Sequence, residues 1–285
     1  MKTCLPAVVA TTTVLATACL GADTQGPPAG TCAATPPAVE GLVVAGSGAT
    51  LALASAIADT FETRHPATRV TVAASIGTGG AVAALLDGAI DIGLASRELS
   101  EAERGSGLHR VPLGRIALGI VVGRDRIERG LTTPEVAALL GGHRRTWDDG
   151  TPVVVVMRER GDGGNRLLRA YAPELGQALD EALDSRRWPT AYTDQEMVET
   201  LLEVPGAVGL LDIGTLRLRK LPLKALALDG VRPVDREAYP LLKPVSLLVR
   251  SDADPAVKEF VVTATSGAVA GHLVRGGYLH PAGRR

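Results

Sequence analysis

Two Gly/Ser/Thr-rich elbows, Gly46-Ser47-Gly48-Ala49-Thr50 and Ile76-Gly77-Thr78-Gly79-Gly80, each join an apolar strand-like run to a helical pattern. A strand that ends in such a turn and feeds a helix leaves several backbone N–H groups unpaired at the helix N-terminus. These groups point at one spot, with the positive end of the helix dipole behind them. Hydroxyls at Ser47, Thr50 and Thr78 lie in the same turns, so a small oxyanion can be held there with few formal charges. Any anion specificity must in fact be local, because the formal net charge of the 285 residues is only -1.

The pattern continues beyond the elbows. Short apolar runs at 41–45, 69–74, 90–95, 153–157, 207–211 and 241–249 alternate with helical spacings at 49–64, 79–87, 164–171, 174–183, 194–203, 255–265 and 267–275. An apolar stretch from Val111 to Val122 is broken by Gly114-Arg115, and Thr132-Thr133-Pro134-Glu135 carries a cap, an early proline and an acid, the signature of a helix start. Alternation of this kind predicts parallel sheets covered by helices, an α/β class. With 33 Gly and 18 Pro the chain has the turns that many short elements require.

The N-terminus reads differently. Met1-Lys2, the apolar, threonine-rich stretch from Leu5 to Ala18, and Ala16-Thr17-Ala18 before Cys19 form an export signal over residues 1–18, too short to span a membrane. Ala-Thr-Ala-Cys resembles the lipobox of bacterial lipoproteins, in which the cysteine is acylated; the same Ala-x-Ala suits ordinary signal peptidase. The two outcomes differ in cysteine chemistry: a lipidated Cys19 leaves Cys32 a lone thiol, whereas a free Cys19 can form a disulfide with it. Residues 19–39, with Gly26-Pro27-Pro28-Ala29-Gly30 and Pro36-Pro37, have linker composition.

The order GSGAT, SIGTGGAVAALLDGAIDIGLASRELS, VPLGRIALGIVV, LTTPEVAALLGG with Thr146-Trp147, VVVVMRERGDGGN, TDQEMVETLLEVPGAVGLLDIG and YPLLKPVSLLV resembles the phosphate-binding proteins of bacterial ABC-type importers. The resemblance runs from about residue 40 to the C-terminus. It implies the two-lobed type II periplasmic-binding α/β fold with a hinged cleft. The first lobe would comprise residues 40–117 plus 238–285 and the second 118–237. It further implies a monomer that captures inorganic phosphate or a similar oxyanion without a cofactor and passes it to an ABC permease and its ATPase. Its location would be the periplasm or the outer face of the cell membrane, lipid-anchored if Cys19 is acylated. A phosphate sensor or adhesion protein of the same fold is the alternative.

Ligand residues follow from the same resemblance. Thr50 and Leu51 match a threonine and its neighbour that contact phosphate, the bland reading of Thr50 being a helix cap; Thr78, followed by Gly79, matches a serine at the start of the next helix. Ser96 stands where some members carry an aspartate that accepts the proton of phosphate, and Arg97 is either a cleft partner or a surface charge. Arg158 matches the family's arginine. The Ser-Gly-Thr turn that usually follows is replaced by Asp162-Gly163-Gly164, so Asp162 either caps the next helix or faces the anion and selects a protonated one. Ser47 is expected as an N-cap, and Arg160 and Arg166 as surface charges.

Other classes find little support. There is no G-x-S-x-G elbow, no G-x-x-x-x-G-K-[ST] loop and no H-E-x-x-H, and the five histidines are scattered, which argues against an enzyme or a metal site. Arg144-Arg145 and Arg284-Arg285 are short basic patches without interleaved aromatics, which argues against nucleic acid.

Overall fold

The computed structural model describes residues 40–279. The export signal, the linker, Cys19 and Cys32 lie outside the described residues. In chain order the first part comprises β1 (Glu40–Gly46), α1 (Gly48–Arg64), β2 (Thr68–Ser75), α2 (Gly77–Leu86), β3 (Ile92–Ala95), α3 (Glu101–Arg104) and β4 (Leu108–Gly123). Then follow β5 (Gly130–Leu131), α4 (Thr133–Leu140), β6 (Val154–Arg158), α5 (Gly163–Tyr171), α6 (Pro173–Ser185), β7 (Thr190–Ala191), α7 (Asp194–Glu203) and β8 (Ala207–Asp212). The last elements are α8 (Ile213–Leu218), β9 (Leu223–Leu228), β10 (Leu242–Arg250), α9 (Pro255–Thr265) and α10 (Ala270–Gly276), with 3-10 turns at 233–238 and 267–269.

The strands lie in the order β2-β1-β3-β10-β4-β8-β6-β7, with β9 pairing both β4 and β5. Pairing is parallel within β2-β1-β3, within β8-β6-β7 and between β5 and β9, as the strand-helix alternation predicts. The expectation of wholly parallel sheets does not hold at the centre. There β10 runs antiparallel to β3 and β4, and β4 antiparallel to β8 and β9. The physical reason is that β4 serves both halves: its residues Leu108 to Ala117 pair with β10, and Leu118 to Gly123 pair with β8 and β9. A strand returning through the middle of a sheet needs no helical crossover and can take either direction.

The flanking helices bury apolar faces at helical spacing. Helix α1 buries Leu53, Ala54, Ile57, Ala58 and Phe61, and the Phe61 ring lies 5.4 Å from that of Phe260 on α9. Helices α4 and α7 both open with capping boxes, Thr132 with Glu135 and Thr193 with Glu196, in which each side chain satisfies a backbone N–H at the helix start. Where β4 shifts register against β10, Gly114 has φ +155° and Arg115 exchanges two main-chain bonds with Leu279, at 2.9 and 2.8 Å. A Cβ on Gly114 would overlap the Leu279 carbonyl, so this close approach requires glycine.

Candidate anion-binding cleft

Strand ends from both parts of the sheet converge on one cleft of about 310 Å³. Three of these ends are tied together by short hydrogen bonds. After β1, the Ser47 N–H donates to the Leu94 carbonyl at 2.9 Å, and after β2 the Ile76 N–H donates to the Gly46 carbonyl at 3.0 Å. After β3, the Ser96 N–H donates to Thr78 Oγ1 at 3.1 Å, and Ser96 Oγ accepts from Ser47 Oγ at 2.7 Å. Gly46 stands at φ +146° with its Cα against the Leu94 backbone, where a side chain would overlap main-chain atoms. The N-termini of α1 and α2 thus sit side by side on one wall, with first-turn N–H groups that need partners.

The opposite wall carries charge. Arg158, at the end of β6, is 8% exposed, its Nε lies 3.4 Å from Asp162 Oδ2, and its Nη1 is buried without a hydrogen-bond partner among the described residues. The turn below it is fixed by Asn165, whose side-chain amide donates to the carbonyls of Arg158 and Glu159 at 3.3 and 2.7 Å. Asp162 caps α5, accepting from the Gly164 N–H at 2.6 Å through Oδ1. It borders the cleft as well, with both carboxylate oxygens engaged inside the protein.

A second buried pair completes the wall. Lys243 of β10 donates to Asp212 Oδ2 at 3.0 Å, Asp212 is 1% exposed, and its Oδ1 has no partner among the described residues. Burial pushes the Asp212 carboxyl up to about 6, against the pull of Lys243, while Asp194 and Asp162 add to the rise. Burial works against the Lys243 ammonium, yet Asp212, Asp162 and Asp194 outweigh it and hold its pKa above the usual lysine value. Asp194, the first residue of α7, reaches α1: a Cβ on Gly48 would overlap its carboxylate.

Thr78, Gly79, Ser96, Arg97, Arg158, Asp162 and Gly163 all lie on the cleft wall. Three other expected residues do not. Helix α1 starts at Gly48, so the lining falls on Ser47, Gly48 and Ala49, and the Thr50 N–H is spent on the Ser47 carbonyl at 3.0 Å. Thr50 Oγ1 is buried without a partner among the described residues, and Leu51 faces a different hollow beside Val72 and His272. The Gly164 N–H is already given to Asp162.

Arg97 lies on the wall with its charge committed, since two of its nitrogens donate to Glu103 at 2.6 and 2.7 Å. Those bonds hold the Glu103 carboxyl down at about 2. Ser47 occupies the N-cap position without accepting a cap bond, its hydroxyl being turned to Ser96. Arg160 is exposed and pairs with Asp180 and Asp184, as expected of a surface charge, whereas exposed Arg166 borders the cleft.

Asp194, Asp212 and Lys243 were not expected at the site. Two of them left a signal: Lys243 is the lone charge in the apolar run from Tyr239 to Val249, and Asp212 closes the apolar strand Ala207 to Leu211. A buried ionisable residue in such a run needs a partner or a ligand. Among the described residues no group of three or more His, Cys, Asp or Glu is placed to hold a metal ion.

A profile of the PBP superfamily domain matches residues 31–266. SphX of Synechococcus elongatus is 28% identical over 234 residues, covering 73% of this chain and 67% of SphX. Among solved structures, one from Clostridium perfringens, assigned to a phosphate ABC transporter substrate-binding protein with bound phosphate, superposes with a TM-score of 0.70 at 18% identity. It covers 85% of this chain and 100% of its own. An ABC-type phosphate transport receptor from Vibrio cholerae superposes with a TM-score of 0.55 at 23% identity, with the same coverage of 85% and 100%.

Proposed function

Because this chain belongs to the PBP superfamily, we propose that it is an extracytoplasmic solute-binding protein that captures inorganic phosphate between two α/β lobes and delivers it to an ABC-type importer. The observation that carries the reading is Arg158: a buried guanidinium with an unpartnered Nη1, in the cleft that the N-termini of α1 and α2 also line. Buried donors without partners are costly, and an oxyanion relieves that cost. The phosphate bound in the Clostridium perfringens structure and the transport role of the Vibrio cholerae receptor support the choice of ligand.

In this reading the lobes are residues 40–117 with 238–285, and 118–237, and they close over the anion by a hinge motion. Phosphate is held by first-turn amides at Gly48, Ala49, Gly79 and Gly163, by the hydroxyls of Thr78 and Ser96, and by Arg158. Thr50 and Leu51 contribute by fixing the start of α1 rather than by contact, and Asp162 and Gly164 by fixing the start of α5. Arg97 stands on the cleft wall with its charge held back by Glu103. Closure excludes water and strengthens each of these bonds. The ligand is released unchanged to a membrane permease driven by its ATPase, so no cofactor enters.

Export by the signal at residues 1–18 and acylation of Cys19 would tether a monomer through the 19–39 linker at the outer face of the membrane. Mass spectrometry of the mature N-terminus separates this from a secreted form with a Cys19–Cys32 disulfide. The binding reading is tested by thermal unfolding of the full chain, refolded to strip ligand, with phosphate added. Phosphate at a thousand times its dissociation constant stabilises by about 4 kcal/mol, and no shift at millimolar phosphate would overturn the reading.

A further inference from the structure

The cleft is larger and more acidic than a single tetrahedral anion needs. Its volume of about 310 Å³ lies in the range that holds small organic molecules, so one phosphate leaves much of it to water. Two charged side chains on its wall, each more than nine-tenths buried, keep an atom without a partner among the described residues. One is a donor, Arg158 Nη1, and the other is an acceptor, Asp212 Oδ1. Buried polar atoms of either kind are costly to leave unmet. The oxygens of an anion answer the first; the second calls for a donor, and the charge around it favours a cationic one.

Asp162 and the half-buried Asp194 stand on the same wall as Asp212, against one ammonium, that of Lys243. These three carboxylates together outweigh the burial of Lys243 and hold its pKa up, so the corner is negative even with that lysine charged. The other charged groups do not cancel this. Arg97 is paired with Glu103, Arg158 with Asp162, and Arg166 shares the exposed part of the lining with Glu159. A ligand that is only an anion meets Coulomb repulsion on approaching Asp212, whereas one that also carries a cation is drawn to it.

We propose that the ligands of this cleft include small zwitterions: a phosphonate or phosphate monoester whose oxygens meet Arg158 and the helix N-termini, and whose primary ammonium, a short carbon arm away, donates to Asp212 Oδ1 and to the Asp194 carboxylate. The inference rests on the reading of this cleft as an oxyanion site. The fold sets the length of the arm. Arg158 closes β6 and Asp212 closes β8, and these strands pair in parallel with Val156 opposite Gly209, so their ends are neighbours at the usual spacing of about 5 Å. A two-carbon arm between phosphorus and nitrogen suits that span. Lys243 leaves room for the second cation, because it donates to Asp212 Oδ2 at 3.0 Å and a carboxylate accepts on both oxygens.

Titration calorimetry on the full chain, refolded to strip ligand, tests this at pH 7.5, where Asp212 is ionised although burial pushes its carboxyl up to about 6. The probes are inorganic phosphate, 2-aminoethylphosphonate, O-phosphoethanolamine and propylphosphonate, the last being the aminoethyl compound with a methyl group in place of the ammonium. At least one of the two amines is expected to bind about 10-fold or more tightly than propylphosphonate, the effect of a charge-assisted hydrogen bond out of contact with water. The tighter of the two tells whether the phosphorus is carried on carbon or on oxygen. Asp194→Asn and Asp212→Asn, each checked for folding by its unfolding temperature, should both lower this preference, and Asp212→Asn should bring it under about 3-fold by removing the charge that the ammonium meets. If Asp212→Asn does not fold, Asp194→Asn and the wild-type series decide. Phosphate binding with neither amine tighter than propylphosphonate overturns this inference and leaves the proposed function intact. The amine preference without phosphate binding upholds the inference and removes inorganic phosphate as the ligand; no binding of any probe overturns both.

Discussion

Replacing Arg158 with methionine removes the buried charge to which the proposed function assigns the anion while keeping an unbranched apolar stem in its place. Within the chain the guanidinium makes one long contact, Nε to Asp162 Oδ2 at 3.4 Å, and leaves Nη1 without a partner among the described residues. The free protein therefore loses a weak ion pair and is relieved of a buried unpaired donor, two terms of opposite sign. Asp162 retains its cap on Gly164. In the complex the loss is one or two charge-assisted hydrogen bonds made out of contact with water, each about 1.5–3 kcal/mol. Arg158→Met should thus weaken phosphate binding by about 2–4 kcal/mol, or roughly 30- to 1000-fold, with little change in the unliganded unfolding temperature. Arg158→Lys keeps the charge but loses the planar fork, so its affinity should fall between the two. Titration calorimetry reads the affinities and calorimetric unfolding reads the stability. A folded Arg158→Met protein with a dissociation constant within about 3-fold of wild type would refute the assignment of Arg158 to the anion.

Three further outcomes are expected. Glu103→Gln breaks the pair with Arg97; because Arg97 depresses the Glu103 carboxyl from 4.5 to about 2, the stability it adds is present above pH 4.5 and lost as pH falls through 2. The variant should be about 1–3 kcal/mol less stable at pH 7, equal to wild type near pH 2 by urea unfolding, and should bind phosphate more tightly at pH 7 because Arg97 is freed on the cleft wall. Asp162→Ser should leave the preference for phosphate over sulfate unchanged in competition titrations, since both Asp162 oxygens are engaged within the protein. Gly206→Ala should lower stability by at least about 1–2 kcal/mol in thermal unfolding, because Gly206 has φ +75° and a Cβ there would overlap the Pro152 carbonyl.

Elements with local physical signatures were legible in the sequence. The span of α7 follows from Thr193 at the cap, Glu196 three residues on and an apolar face at Met197, Val198 and Leu201, all information held within ten residues. The capping box of α4 was legible for the same reason. Helix α8 and strand β9 gave no comparable signal: α8 is six residues long with no side-chain cap bond, and β9 alternates weakly through Leu223 to Leu228. Strand direction was misread because apolar runs carry no polarity, and the antiparallel course of β4 and β10 is decided by partners far away in sequence.

At the site, the Gly/Ser/Thr elbows announced the helix N-termini, but which residue of the turn faces the cleft depends on where the helix begins. A start at Gly48 moves the lining from Thr50 and Leu51 to Ser47, Gly48 and Ala49. Arg158 was legible only through the resemblance, which matches it to the family's arginine. The coupling of Asp212 to Lys243 was not, because the two stand on different strands, 31 residues apart, and meet only once the sheet is assembled.

The antiparallel placement of β10 bears on how this chain can acquire its structure. Strand β3 has β1 on one side, and its other edge is covered only by β10, through pairs such as Ser246 with Ala95. These partners are separated by roughly 150 positions, so their joining carries a large loop-closure penalty and contributes to slow folding. Until β10 arrives, a chain emerging from its N-terminus has four buried-type residues, Ile92 to Ala95, with an open backbone edge that invites pairing with other chains. The covering of the β3 edge is thus a late step, and a chain cut before Leu242, which keeps that edge open, should gather as soluble aggregates or remain unfolded instead of yielding a stable amino-terminal fragment.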